Sequence, residues 1–151
     1  MSKLFDLFYK CTKVCTDTRQ ISDNVLFIAL KGDNFNGNEF AQKAINSGAK
    51  YAIVDEIEYA NNENIFYVDN ALTYLQELAN YHRSKFKIPV IGITGSNGKT
   101  TTKELIASVL KQKFNIHYTT GNLNNHIGVP LTLLGITNEH DIAIIEMGAN
   151  K

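Results

Sequence analysis

The sequence predicts an α/β protein in two parts: a small mixed α/β domain over residues 1–86, then the first half of a parallel-sheet domain over 87–151. Three observations lead there. Apolar runs of strand length recur along the chain, with helical-period segments between them. Pro89, after Phe86-Lys87-Ile88, disfavours continuation of the longest helical pattern, so a boundary belongs near residue 86. Past it, residues 91–102 pass from an apolar run through a glycine-punctuated turn into a helix start.

The elements follow in order. Residues 3–11, Lys-Leu-Phe-Asp-Leu-Phe-Tyr-Lys-Cys, have the pattern of a short amphipathic helix. The compact apolar run 25–30 ends at Lys31-Gly32 and reads as a strand. Phe40, Ala41, Ala44 and Ile45 recur at helical spacing, with Gly48 in position to close that helix. Residues 51–54 and 65–68 are short strands separated by the polar loop Asn61-Asn62-Glu63-Asn64. Asp69 or Asn70 can cap a helix with Leu72, Leu75, Leu78, Ala79 and His82 on one side, where His82 reads as a boundary or surface residue.

After Pro89 the alternation becomes regular. Residues 90–94 form a strand, 101–113 a helix with Leu105, Ile106, Val109 and Leu110 on its buried side, 116–119 a strand and 129–134 a short helix. Residues 142–146, Ile-Ala-Ile-Ile-Glu, are a nearly continuous apolar strand. Strands buried on both faces and joined by helices imply a parallel sheet with right-handed crossovers. Three such strands leave an edge and a helix layer unfinished, so the expectation is a fragment or truncated version of a longer enzyme.

Composition narrows the function. At 44% hydrophobic and 20% charged residues, the 151-residue chain has the make-up of a soluble globular protein. Fifteen basic residues balance 15 acidic ones, which argues against a polynucleotide partner and leaves room for a local site for one phosphorylated ligand. No segment has signal-peptide or membrane-spanning character, and Cys11 and Cys15 lack the partners of a zinc site. A reducing cytoplasm is the expected location.

Four segments can carry chemistry. In Thr94-Gly95-Ser96-Asn97-Gly98-Lys99-Thr100-Thr101, the glycines let backbone N–H groups approach phosphate oxygens, Lys99 adds a mobile charge and Thr100 a hydroxyl for phosphate-bound Mg²⁺. Ile93 stands where the strict G-x-x-x-x-G-K-[ST] pattern needs glycine, so the match is to a variant. Glu146 ends an apolar strand at the sheet edge where ligands sit and can serve Mg²⁺. The run Gly121-Asn122-Leu123-Asn124-Asn125-His126-Ile127-Gly128 is either a turn or a site-lining loop. Thr16-Asp17-Thr18-Arg19 with Asn36-Gly37-Asn38 could hold a sugar nucleotide, although the residues alone favour a solvated loop.

In this order, the four segments resemble the ATP-dependent Mur ligases of peptidoglycan synthesis, over nearly the whole chain. The resemblance implies an N-terminal domain that holds the UDP end of the substrate and a central ATP domain. Residues 121–132 and 145–150 look most like the member that joins D-alanyl-D-alanine to UDP-N-acetylmuramoyl-tripeptide through an acyl phosphate. It implies ATP and Mg²⁺, with Gly95, Ser96, Asn97, Gly98, Lys99, Thr100 and Thr101 around the phosphates and Asn125 and His126 near ATP. Lys99 and Glu146 become the catalytic pair, and Thr100 and Glu146 the metal ligands. Thr18, Arg19, Asn36, Gly37 and Asn38 fall near the UDP moiety, with Asn38 standing where many relatives carry histidine. The implied protein is a monomer without nucleic-acid or membrane partners. Alternatives are a stand-alone nucleotide- or UDP-sugar-binding module, a diaminopimelate- or lysine-adding sister, or a folylpolyglutamate synthase.

Overall fold

The computed structural model describes residues 2–148, so the Ala149-Asn150 end of the turn expected after Glu146 lies outside the described residues. The chain divides into two compact units, Met1–Leu75 and Gln76–Lys151.

The first unit opens with helix α1 (Ser2–Phe5) and a separate 3-10 turn, Phe8–Lys10, in place of the single helix expected over 3–11. Phe5, Leu7 and Phe8 are all buried, and Tyr74 donates its hydroxyl to the Leu4 carbonyl at 2.9 Å. A helix this short is unstable alone, so packing rather than periodicity sets its course. A parallel sheet follows in the order β1 (Val14–Cys15), β2 (Leu26–Ile28), β5 (Tyr51–Val54), β6 (Ile65–Tyr67). An antiparallel ribbon, β3 (Lys31–Gly32) with β4 (Phe35–Asn36), projects between β2 and helix α2 (Ala41–Asn46). Gly48 takes φ +110° just past α2, which a residue with a Cβ rarely adopts. The core joins Val25, Phe27 and Ala29 around β2, Ala41 and Ala44 of α2, Ala52 and Val54 of β5, and Ile65. Helix α3 (Ala71–Ser84) is capped by Asn70, whose Oδ1 accepts the Thr73 N–H at 2.8 Å. The division between the two compact units falls within α3.

The second unit is a parallel sheet in the order β7 (Val90–Ile93), β9 (Ile142–Glu146), β8 (Ile116–Tyr118). Because side chains alternate along a strand, β9 feeds two cores. Ile144 packs with Ile93, Ile116 and Ala107 beneath helix α4 (Lys99–Leu110). Ala143 and Ile145 pack with Ile136 against residues of helix α5 (Gly128–Leu134) and Phe86 and Ile88.

Two expectations change here. Leu105 and Val109 are 63% and 69% exposed, while α4 buries Lys103 and Ala107 and half-buries Ile106 and Leu110. The apolar stripe of α4 is wider than the face its strands cover, and the fully inward position belongs to a lysine. His82, expected at a boundary or surface, is buried, with Nε2 2.8 Å from the Ile136 carbonyl. His117 is similarly placed, Nε2 lying 2.6 Å from the Thr132 carbonyl. No helix among the described residues is long and apolar enough to cross a membrane.

Burial, chiefly, holds both His82 and His117 below the ordinary histidine value of 6.5, against the raising effect of their carbonyl contacts. The unfolded chain, whose histidines titrate at about 6.5, then binds protons more readily than the folded one. Stability is therefore full above pH 6.5 and is lost as pH falls through the depressed folded values. The urea midpoint should drop between about pH 7.5 and pH 5.5, and less so in a His82→Gln/His117→Gln variant. A midpoint unchanged with pH would contradict this. Leu105→Ser should shift stability by no more than about 0.5 kcal/mol, whereas Ile144→Ala should lose about 2–5 kcal/mol in the same unfolding assay.

Candidate functional site

The carboxyl ends of β7, β8 and β9 bring three loops to one edge of the second sheet. After Ile93 the chain turns through Gly95 at φ +146° and Gly98 at φ +74°, then enters α4 at Lys99. Only glycine tolerates both turns easily, and the resulting loop from Thr94 to Gly98 is exposed, as are Thr100 and Thr101. No side chain caps α4, so its first N–H groups and the positive end of its dipole face that open loop. Lys99 Nζ folds back to donate to the Gly95 carbonyl at 2.6 Å and the Ser96 carbonyl at 3.5 Å.

Glu146 closes the edge from the central strand and is 1% exposed. Its N–H donates to Thr119 Oγ1 at 2.9 Å, fixing the backbone at the end of β8. Its Oε1 accepts from Asn124 Nδ2 at 2.8 Å and from the Thr100 hydroxyl at 3.3 Å. Its Oε2 is buried without a hydrogen-bond partner among the described residues, 3.7 Å from Lys103 Nζ. Backbone bonds lock the edge: Met147 N–H to the Ile93 carbonyl at 2.8 Å, and Gly148 N–H to the Asn124 carbonyl at 2.6 Å.

The structure thus brings Gly95–Thr101 and Glu146 together. Asn125 and His126 sit in the exposed loop beyond β8, but the asparagine touching Glu146 is Asn124. Asn125 Oδ1 instead accepts the N–H groups of Ile127 and Gly128 at 3.1 and 2.8 Å, which starts α5. The His126 carbonyl accepts from Gln76 at 3.2 Å. Sequence reasoning passed over Thr119, Asn124 and Lys103. Asn124 lay inside the asparagine run and Lys103 one turn beyond Lys99, so only their spacing hinted at them.

In the first unit, Thr18 and Arg19 lie on a 3-10 turn, Thr18–Gln20, whose start is capped by Asp17. Arg19 forks onto the Asp17 carboxylate at 2.7–3.2 Å, and these hydrogen bonds pull Asp17 down to about 2. An open cleft of about 570 Å³ is lined by Thr16, Asp17, Thr18, Arg19, Phe35, Phe40 and Lys43. The rings of Phe35 and Phe40 stack at 5.3 Å within it.

Asn36, Gly37 and Asn38 behave differently from the expected ligand contacts. Asn38 is fully buried: its Nδ2 donates to Asn36 Oδ1 and Asp55 Oδ1, both at 2.9 Å, and its Oδ1 accepts the Asp55 N–H at 2.9 Å. Burial drives the Asp55 carboxyl upward, but bonds from Asn38, the Ala71 N–H and Lys31 outweigh it and hold it below its ordinary value. Asn36 Nδ2 donates to Glu56 at 3.1 Å, and Lys31 bridges Asp55 and Glu56 at 3.1 and 2.8 Å. A side chain at Gly37 would run into the Leu30 carbonyl. The Asn38 side chain therefore has no surface to offer a ligand; it fastens the loop after β4 to the end of β5.

This fold and site define a parallel α/β protein with a phosphate-type loop and a facing carboxylate at the carboxyl edge of its sheet. The chain belongs to the Mur ligase family: residues 10–83 match its "Mur ligase family, catalytic domain" model and residues 93–151 its "Mur ligase middle domain" model. It is similar to the UDP-N-acetylmuramoyl-tripeptide–D-alanyl-D-alanine ligase of Synechocystis, at 46% identity over 91% of this chain and 31% of that protein. Its identity to the Bacillus subtilis ligase of the same name is 44%, over 89% of this chain and 30% of that one. Among solved structures, MurF from Acinetobacter baumannii matches with a TM-score of 0.86 and 32% identity, covering 98% of this chain and 35% of that one. A Thermotoga maritima MurF ligase in complex with ADP matches with a TM-score of 0.84 and 33% identity, covering 97% and 34%. The chain thus spans about a third of the length of these relatives.

Replacing Asn38 by alanine strips Asp55 and Asn36 of buried bonds. Urea unfolding of Asn38→Ala should show a loss of about 2–4 kcal/mol, since each orphaned buried group costs about 1–3 kcal/mol. Arg19→Ala, on an exposed pair, should leave the urea midpoint essentially where it is in wild type.

Proposed function

We propose that this chain supplies the UDP-substrate and ATP-loop portion of a UDP-N-acetylmuramoyl-tripeptide–D-alanyl-D-alanine ligase. In that reaction ATP phosphorylates the terminal carboxylate of the tripeptide to an acyl phosphate. The D-alanyl-D-alanine amine then attacks the acyl carbon, forming the amide and releasing phosphate, after ADP. The observation that carries this reading is the pairing of an uncapped helix start at Lys99 with a buried, half-satisfied carboxylate at Glu146. The names of the relatives support the choice of substrates.

Catalysis here asks the protein for positioning and charge neutralisation. Backbone N–H groups from Gly95 to Thr101 cradle the phosphates, and Lys99 exchanges its loop carbonyls for phosphate oxygens. The ADP bound to the Thermotoga relative supports a nucleotide at this loop. Thr100 and Glu146 fit Mg²⁺: both offer hard oxygens, and Glu146 Oε2 is buried without a hydrogen bond among the described residues. When bound, Mg²⁺ would neutralise charge on the transferred phosphoryl group. Asn125 and His126 lie in the exposed loop next to Asn124, and their proposed place near ATP rests on the family resemblance.

In the first unit, the cleft beside Thr18 and Arg19 takes the UDP end, with the Phe35–Phe40 stack offering a face to a base. Gly37 and the Asn36–Asn38 bonds shape its neighbouring loop. Residues 1–86 form the substrate domain and 87–151 the start of the ATP domain. We place the protein in the cytoplasm as a monomer without a membrane partner, and its balanced charge argues against a nucleic-acid partner.

The test uses the complete ligase. ADP release should require both UDP-N-acetylmuramoyl-tripeptide and D-alanyl-D-alanine, and equal turnover with free lysine would sink the assignment. Lys99→Ala should lower kcat about a hundredfold or more, while the affinity for the UDP-substrate, measured by calorimetry, changes by less than about twofold.

A further inference from the structure

Lys103 takes no part in the phosphate chemistry proposed for Lys99, yet it is as deeply buried as Glu146, 1% exposed on the inward face of α4. Its ammonium lies 3.7 Å from Glu146 Oε2 and 3.1 Å from Glu104 Oε1. The ring of Tyr118 is 6.0 Å away. At 3.7 Å the contact with Glu146 is a charge interaction rather than a hydrogen bond, so the lone pairs of Oε2 stay free. Glu104, half exposed, anchors the ammonium from the other side. We propose that Lys103 is a positioning residue: the counter-charge that keeps the buried Glu146 carboxylate fixed and open toward Thr100 and the phosphate loop.

A carboxylate taken out of water needs hydrogen bonds and opposite charge, or it leaves its place. Asn124 and Thr100 satisfy Oε1. Among the described residues Lys103 is the cation paired with Oε2, and it compensates the charge without occupying the oxygen. The ammonium of Lys103 is engaged by the carboxylates of Glu146 and Glu104, whereas that of Lys99 rests on carbonyls of the loop itself. The two lysines of α4 therefore play separate parts. Lys99 serves the loop and its anion, and Lys103, one turn on, serves the carboxylate.

The inference rests on the ATP-loop reading, and the experiment separates the two. ADP binding to the chain is measured by calorimetry with Mg²⁺ and with EDTA, for wild type, Lys103→Met, Lys103→Arg, Glu146→Gln and Lys103→Met/Glu146→Gln. Lys103→Met should weaken binding about tenfold or more with Mg²⁺ and less than about twofold with EDTA, the size expected for losing a partner that orients a metal ligand. Lys103→Arg should restore most of the loss, and Lys103→Met should add less than about twofold in the Glu146→Gln background. Urea unfolding of the same proteins supplies the second readout. The double variant should be more stable than Lys103→Met, because removing the stranded charge relieves the defect. Equal weakening in both buffers, additive effects of the two substitutions, or a double variant less stable than Lys103→Met would each overturn the proposal. If wild type binds no ADP in either buffer, the ATP-loop reading falls, and the unfolding cycle alone decides whether Lys103 compensates Glu146.

Discussion

A carboxylate buried at the carboxyl end of the central strand organises the second unit. Glu146 is held through its backbone by Thr119 at the end of β8 and through its side chain by Asn124 and Thr100. Thr119 and Asn124 belong to the segment that follows β8, and Thr100 to the first turn of α4 after β7. The strand order β7-β9-β8 makes this possible, since the central strand ends between the loops that follow its two neighbours. The alternation of β9 does the rest: Ile144 and Ile145 anchor opposite cores, which fixes the strand's rotation and hence where Glu146 points. Moving the register by one residue would exchange the two cores and withdraw the carboxylate from the loop.

The first unit solves a related problem with neutral polar groups. The chain between β4 and α2 passes close to the backbone at Leu30, where Gly37 leaves room, and Asn38 then enters the interior. A buried amide needs donors and acceptors in the right places, and Asp55 and Asn36 supply both. Asp55 also accepts the Ala71 N–H, so one network joins the loop after β4, the end of β5 and the start of α3.

The sequence made the long, patterned features plain. β5 and β9 appear at their expected bounds, the phosphate-type loop sits between a strand and a helix, and Asn70 caps α3. What it hid follows from the nature of each signal. β1 and the β3–β4 ribbon are two residues per strand, too short for any period to register. The buried side of α4 was misplaced because Leu105 and Val109 count as apolar wherever they point, while Lys103 counts as solvent-facing. Periodicity sees hydrophobicity, and here a charge occupies the inward position because another charge awaits it. Asn38 and Asn125 show the same limit in neutral form: asparagine suits a ligand site, a cap or a buried bridge equally well. Only the partners decide, and those lie far along the chain or in a backbone turn.

The contrast between Lys99 and Lys103 carries the mechanistic argument further. Lys99 is half-buried and rests on loop carbonyls, the acceptors that an anion at the helix start would replace. The swap exchanges one set of oxygens for a more strongly charged one and needs only the far end of a flexible side chain to move. Lys103 and Glu146, each 1% exposed and tied on several sides, have no such freedom. Adaptation is thus confined to the exposed loop and its lysine, while the carboxylate opposite is set in advance. A site divided in this way needs little reorganisation of the charged wall that must meet the phosphates, which is what electrostatic stabilisation of a phosphoryl group requires.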